Sequence, residues 1–250
     1  MTAKMMKYTI FGPGRVGSNI TAYLAHLGHQ TTLISRVDAE TDRANAETLV
    51  TNADVIIAAL PDDRLLSWFE SWSNKIGDRP AIHFSGAINI DGMLSFHPLY
   101  SFSKTPIELT QMAQIAFACP DTGPQFADIF PGAKNPTFKI SDSSKAHYHA
   151  LAVLSGNFAA YLWNQTAIEF SKHHDVSAEK ILGAYFQSIV ERFKENPENS
   201  LTGPIARRDR ESVKKNMAAI EQNPKLLALY QSFLSSAWPD FDNDVSNKPD

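Results

Sequence analysis

A single cysteine, Cys119, stands among 250 residues. No disulfide framework and no multi-cysteine zinc site can be built from it, which suits a reducing compartment. Charge of one sign is not in excess: 23 Lys and Arg against 27 Asp and Glu leave a formal −4 and a pI near 6.1. That balance marks no nucleic-acid binder. Long hydrophobic runs are missing too, since Val55 to Leu60 is far short of the ~18 residues a membrane helix needs. No secretory apolar segment opens the chain, because strand-like Tyr8–Phe11 runs straight into glycines. The expectation is a cytoplasmic protein with neither membrane nor nucleic acid as partner. Hydrophobic residues make up 43% and charged residues 20%, enough for one large core or two modest ones without a metal staple.

What is present is an alternation of strands and helices in the first half. Tyr8–Phe11, Thr31–Ile34, Val55–Leu60, Ala81–Phe84 and Met93–Phe96 read as strands, with Gln114–Cys119 and Thr137–Ser141 as two more. Val16, Ile20, Leu24 and Leu27 recur at helical spacing up to Gly28, a suitable C-cap. Leu65, Phe69, Trp72 and Ile76 form a second stripe, which Asp62 or Asp63 can cap. Such alternation predicts an α/β fold: a Rossmann-type, mostly parallel sheet covered on both faces. From Ser143 onward the pattern is all helical, over Lys145–Lys172, Ser177–Lys194, Asp209–Gln222 and Pro224–Ala237. The spacing predicts a dinucleotide-binding domain over 1–142 and a helical substrate and dimerisation domain over 143–250, with a frayed acidic tail at 240–250.

Between the first strand and first helix lies Gly12-Pro13-Gly14-Arg15-Val16-Gly17. In that context Gly12 permits the tight turn, Gly14 lets backbone approach a pyrophosphate, and Gly17 lets helix and strand pack closely. The helix N-terminus presents free N–H groups to phosphate. NAD binders place Asp or Glu at the end of the second strand; here stand Ser35 and Arg36. A guanidinium pairs with a 2′-phosphate that a carboxylate would repel, so the expected cofactor is NADP(H). Arg15 can reach the same phosphate or stack on adenine, while Asp38 and Glu40 close behind oppose the assignment.

Ligands of open parallel sheets sit beyond the carboxyl ends of the strands. Leu60, Pro61 and Asp62 should border the nicotinamide half, with Ser85 and His97 pointing into the same crevice. His97 is the candidate hydrogen-bonding acid, a group whose charge changes near neutral pH. His83 reads as a core histidine; His147 and His149, two apart, face different sides of a helix and are no metal pair. Ser155-Gly156-Asn157 interrupts the long helix with poor helix formers, and Asn157 can orient a substrate. Arg207, in Leu201–Asp209, can clamp a substrate carboxylate.

Taken together, Gly12–Gly17, Leu60-Pro61-Asp62, Ser85-Gly86, His97-Pro98-Leu99, His149 to Asn157 and Leu201–Asp209 make a chain that resembles a two-domain family of predicted NADP oxidoreductases. The helical half of that family is known only as a domain of unknown function, number 2520. The family is similar to pyrroline-5-carboxylate reductase and the 6-phosphogluconate dehydrogenase-like group. The resemblance implies a Rossmann domain, a helical domain, a cleft between them and a homodimer made by the helical halves. Two positions depart from the wider group. Val153 stands where its hydroxyacid dehydrogenases carry a catalytic lysine, and Asn157-Phe158 breaks the reductase Ser-Gly-Ser-Gly-Pro pattern. The expected activity is hydride transfer from NADPH to a small carbonyl or imine, with a silent NADP(H) sensor on the same scaffold as the alternative.

Overall fold

The computed structural model describes residues 4–174 and 176–241. Strands β1 (Lys7–Phe11), β2 (Gln30–Ile34), β3 (Val55–Ala58), β4 (Ala81–His83) and β5 (Leu94–Ser95) form one parallel sheet in the order β2-β1-β3-β4-β5. Helices α1 (Arg15–His26), α2 (Arg36–Thr41), α3 (Arg43–Thr51) and α4 (Asp62–Ile76) connect the first four strands. Every residue of β3 is buried, as a central strand covered on both faces requires. One core cluster holds Tyr8, Ile10, Leu24 and Ile57; another, on the opposite parity of the strands, holds Phe11, Ile56, Trp72 and Ile76. This is the Rossmann-type α/β fold that the strand–helix alternation predicts.

Several expectations are corrected. The third strand stops at Ala58 and the fourth at His83, short of the expected Leu60 and Phe84. Pro61, not Asp62 or Asp63, is the N-cap of α4; the two acids occupy its first turn, where they meet the positive end of the helix dipole. His97–Pro98 does not end the fifth strand but forms a strand of its own, β6. After the short helix α5 (Leu109–Met112), β7 (Phe117–Pro120) pairs antiparallel with β6. Following α6 (Phe126–Ile129), β8 (Thr137–Ile140) pairs parallel with β7. The last two expected strands thus belong to a second, three-stranded sheet rather than to the Rossmann sheet.

A 3-10 turn at Asp142–Ser144 leads into α7 (Lys145–Ala152). The expected unbroken helix is interrupted by a π-helical turn over Val153–Phe158 before α8 (Ala159–His174). Ser155, Gly156 and Asn157 sit in that turn; their weak helix propensity lowers the cost of the insertion. The chain divides into two compact units at Gly156/Asn157, inside this turn. Beyond it lie α9 (Ala178–Glu195), α10 (Gly203–Ala206), α11 (Arg210–Ala219) and α12 (Pro224–Ala237). A one-turn helix thus occupies part of the expected Leu201–Asp209 loop, with Pro204 in its first turn. Val213, Leu234, Trp238 and Phe241 make the core of this unit. Residues 242–250 of the expected frayed tail lie outside the described residues. Among the described residues no helix is long and apolar enough to cross a membrane.

Candidate functional site

The glycine turn is built by contact, not by flexibility alone. Gly12 has φ +100°, and a Cβ there would lie 2.4 Å from the Ala59 carbonyl oxygen. A Cβ on Gly17 would lie 2.0 Å from the Gly12 oxygen. Gly14 is different: nothing stands within 4 Å of its Cβ position. Two glycines therefore close the turn against β3, and the third leaves an open approach to the backbone. Gly14 is the N-cap of α1 and makes no side-chain cap, and no acid occupies the first turn. Of the other helices, α2, α3, α11 and α12 are capped by Ser, Asp or Asn side chains, whereas α4, α5, α7, α9 and α10, like α1, are not. The open amides at Arg15, Val16 and Gly17 suit an anion.

Beside the turn, a recess of about 540 Å³ is bounded by Gly12, Arg36, Arg43, Leu60, Pro61, Arg64 and Trp68. Its size falls within the ~300–1,000 Å³ common for small-molecule sites. The Trp68 indole Nε1 is buried and has no hydrogen-bond partner among the described residues, so the wall offers a donor in need of an acceptor. Arg36 is exposed, its side chain at 81%, with Nε 3.6 Å from Glu40. Arg43 is held more firmly: it stacks 3.7 Å over the Trp72 ring and bonds Glu47 and the Ser71 carbonyl.

Asp38 is tied into the N-terminus of α2. Its amide donates to Ser35 Oγ, while its carboxylate accepts the Ser35 amide, a capping box. Hydrogen bonding from Ser35, its side chain first and then its backbone amide, holds the Asp38 carboxyl below the usual range. Ser35 thus serves the helix start and does not line the recess. Arg15 donates from Nη1 to the Phe102 carbonyl at 3.5 Å, and Pro13 accepts from the Ser18 hydroxyl. Arg43, Arg64, Trp68 and Trp72 were not singled out by sequence; the Trp72 stripe signalled only a buried helix face.

At the carboxyl ends of β4 and β5 the first unit gathers His97, Tyr148, His149 and Gly86. His97 Nδ1 lies 2.6 Å from the Tyr148 hydroxyl, and its ring centroid 6.2 Å from that of His149. A Cβ on Gly86 would lie 2.8 Å from His149 and 3.0 Å from His97, so both rings close over a position only glycine fits. Burial, then the positive charges of His149 and Lys145, bring the His97 pKa down to about 4, with Asp62 opposing. This corrects the expectation of a charge change near neutral pH: His97 is a neutral imidazole there. Burial raises the Tyr148 phenol to about 12, so it keeps its proton. Ser85 Oγ accepts the amides of Ala87 and Ile88 and so shapes the loop after β4. Tyr148 was invisible to sequence reasoning because its partner is 51 residues away.

Asn157 and Arg207 belong to the second unit. Asn157 is exposed in the π-helical turn. Arg207 is the exposed C-cap residue of α10, before Arg208, which takes φ 56° and sits 5.0 Å over the Trp238 ring. Among the described residues no three His, Cys, Asp or Glu side chains converge as a metal site would require.

Known structures share this architecture. A protein from Bacteroides fragilis, described as a candidate NADP oxidoreductase, is 18% identical, with a TM-score of 0.71 over 93% of this chain and 98% of its own. Protein TM1727 from Thermotoga maritima is 20% identical, with a TM-score of 0.68 over 95% and 99%. A 1-pyrroline-5-carboxylate reductase from Streptococcus pyogenes is 17% identical, with a TM-score of 0.59 over 97% and 99%. No curated protein matches the chain. Residues 118–237 match the family described as "Domain of unknown function (DUF2520)", so the chain carries a DUF2520 domain on its C-terminal side, with a Rossmann sheet before it.

Proposed function

We propose that this chain is an NADP(H)-dependent oxidoreductase acting on a small carbonyl or imine compound. The observation that carries the reading is the glycine turn. Gly12 and Gly17 are locked by close backbone contact, while Gly14 is open in front of an uncapped helix N-terminus. Candidate NADP oxidoreductase and pyrroline-5-carboxylate reductase neighbours of the same fold support it. Gly12, Gly14 and the amides that follow would hold the pyrophosphate. The recess beside them would take the adenosine, with Arg36 and Arg64 available to a 2′-phosphate and the orphan Trp68 N–H available to an acceptor oxygen. When bound, the cofactor supplies a hydride.

The chain supplies orientation and hydrogen-bond donors. We assign the Tyr148 hydroxyl as donor to His97 Nδ1, which leaves the imidazole hydrogen on Nε2. A neutral imidazole N–H can stabilise negative charge developing on a carbonyl oxygen or imine nitrogen. Leu60 and Pro61, in the wall of the adenosine recess, and Asp62 beyond them would border the nicotinamide side of the dinucleotide. Asn157 and Arg207 are the residues of the second unit assigned to substrate orientation and to a substrate carboxylate.

A homodimer through the helical unit belongs to the same reading. The 16 residues of α8 include none that is buried, yet Tyr161, Ile168 and Phe170 lie on it, and Tyr185 and Phe193 are exposed on α9. Exposed apolar surface on both helices supports that reading. Thermal melting with NADPH, NADP, NADH and NAD tests the cofactor. Ligand at 100 times its Kd adds about 2.7 kcal/mol of stability, and the phosphorylated pair should give the larger shifts. Arg36→Glu should remove or invert that preference. Equal shifts from all four dinucleotides in the unmodified protein would defeat the phosphate assignment.

A further inference from the structure

A second recess, of about 230 Å³, opens at the edge of the Rossmann sheet, with His83, Asn89, Ser95 and Lys145 in its wall. It shares no lining residue with the adenosine recess. Its volume is below the ~300–1,000 Å³ that drug-sized ligands occupy, so it admits a molecule of a few carbons.

Lys145 is the unusual group. It is 2% exposed and is the first residue of α7, so its ammonium is both desolvated and set at the positive end of a helix. Nζ donates to the Ile88 carbonyl. No carboxylate forms an ion pair with it among the described residues. An ammonium has three hydrogens to donate, and the Ile88 bond uses one. Burial brings Lys145 down to about 8, with Asp142 and then Asp62 opposing, so most of it is charged at neutral pH. A buried cation with no carboxylate in direct contact is costly.

His83 adds a second donor. It is fully buried at the end of β4, and its Nδ1 accepts the Ser85 amide at 3.2 Å. That bond puts the ring hydrogen on Nε2, which has no partner among the described residues. The recess therefore brings together one buried positive charge and one buried N–H, each short of an acceptor. Two acceptor oxygens carrying one negative charge complete both. Asp91 and Asp142, exposed at the same recess, disfavour a more highly charged anion such as a phosphate ester.

We propose that this recess binds a small monocarboxylate, held by the Lys145 ammonium and the His83 Nε2–H. The site does not depend on the dinucleotide reading, because its walls and donors are separate from the glycine turn.

The test uses the full chain in chloride buffer of matched ionic strength, with acetate and pyruvate as probes and inorganic phosphate as control. Both carboxylates should raise the melting temperature saturably by several degrees, and phosphate should raise it less. Lys145→Met should lose the carboxylate response and keep the NADPH response. In histidine-labelled unmodified protein, the His83 Nε2 resonance should move on carboxylate addition, a readout that stands if the methionine variant does not fold. Absence of any shift in melting or in the His83 resonance at tens of millimolar carboxylate overturns the proposal, as does an undiminished carboxylate response in Lys145→Met. NADPH consumption separates two sources of the same chemistry, and either result is compatible with the site. Consumption with pyruvate identifies the carboxylate as part of a substrate, and saturable binding without consumption identifies an effector.

Discussion

The Tyr148 hydroxyl and His97 Nδ1 are 2.6 Å apart, joining the first turns of α7 to the start of β6. Both groups are partly buried, and burial keeps each in its neutral form near pH 7. Tyr148→Phe removes the donor and leaves His97 Nδ1 unpaired. The expected cost is about 1–3 kcal/mol of stability, read by denaturant melting. If His97 polarises the reacting group, turnover should also fall by about 10²-fold, with the Kd for NADPH unchanged. Turnover equal to that of the unmodified protein would remove the pair from the chemistry.

Gly86 is the spacer of this cluster. Gly86→Ala places a methyl within 3.0 Å of both the His97 and the His149 ring. Overpacking of this kind costs about 1–3 kcal/mol, and the rings must move to relieve it. The expected result is a loss of turnover at least as large as that of Tyr148→Phe, with normal NADPH binding by calorimetry. Full activity in the variant would show that the positions of the two rings do not matter.

The glycines of the turn should separate stability from binding. Gly17→Ala drives a methyl to 2.0 Å from the Gly12 oxygen and should cost about 3 kcal/mol or more, as backbone cannot yield like a side chain. Gly14→Ala meets nothing within 4 Å, so stability should stay within about 1 kcal/mol of the unmodified protein. Its methyl would nevertheless stand on the open approach to the α1 amides, and NADPH affinity should fall by about tenfold or more, or ~1.4 kcal/mol. Unchanged affinity in Gly14→Ala would place the pyrophosphate elsewhere.

Acid should destabilise the first unit before its carboxylates titrate. His83 is held at about 3 and His97 at about 4, both chiefly by desolvation, against ~6.5 in an unfolded chain. Between those values the unfolded state binds more protons, so stability is full above pH 6.5 and falls as pH drops below it. The slope is at most about 1.4 kcal/mol per pH unit for each histidine. His97→Gln should flatten the pH 5–6.5 region of a chemical-denaturation series by up to one such slope. An unaltered profile would mean that the imidazole is not buried as described.

Lys145 predicts a slope of the same sign at the alkaline end. Its folded pKa near 8 lies below the ~10.4 of an unfolded lysine, so the unfolded state binds more protons in between and stability rises with pH above 8. Cys119, raised by burial to about 11 against ~8.5 for a free thiol, gives the opposite slope from about pH 8.5. Tyr148, raised by burial to about 12, joins it once free tyrosines ionise near pH ~10. The lysine contribution is therefore read as the difference between the unmodified protein and Lys145→Met over about pH 8–9. Lys145→Met should abolish the rise. Coincident profiles for the two proteins would show that the ammonium is solvated.

The glycine turn was readable in the sequence because every part of it is local: a strand, three glycines at fixed spacing and an apolar helix stripe within 27 residues of the start. The same holds for α12, whose Asn223-Pro224 start and Ala237 end match the sequence expectation. Helices α2 and α3 were missed because six and nine residues give too few turns for an apolar period to emerge. Their caps at Ser35 and Asp42 were the available signal.

Local pattern, then, determined the α/β class, the position of the glycine turn and the all-helical character of the second half, since strand period, helix period and glycine geometry act over a few residues. Only tertiary structure decided that β6, β7 and β8 leave the main sheet. The same level of structure joined Tyr148 to His97 and buried Lys145 beside His83. Pairing, desolvation and the pKa of a buried group depend on neighbours tens of residues away, and no window along the chain contains them.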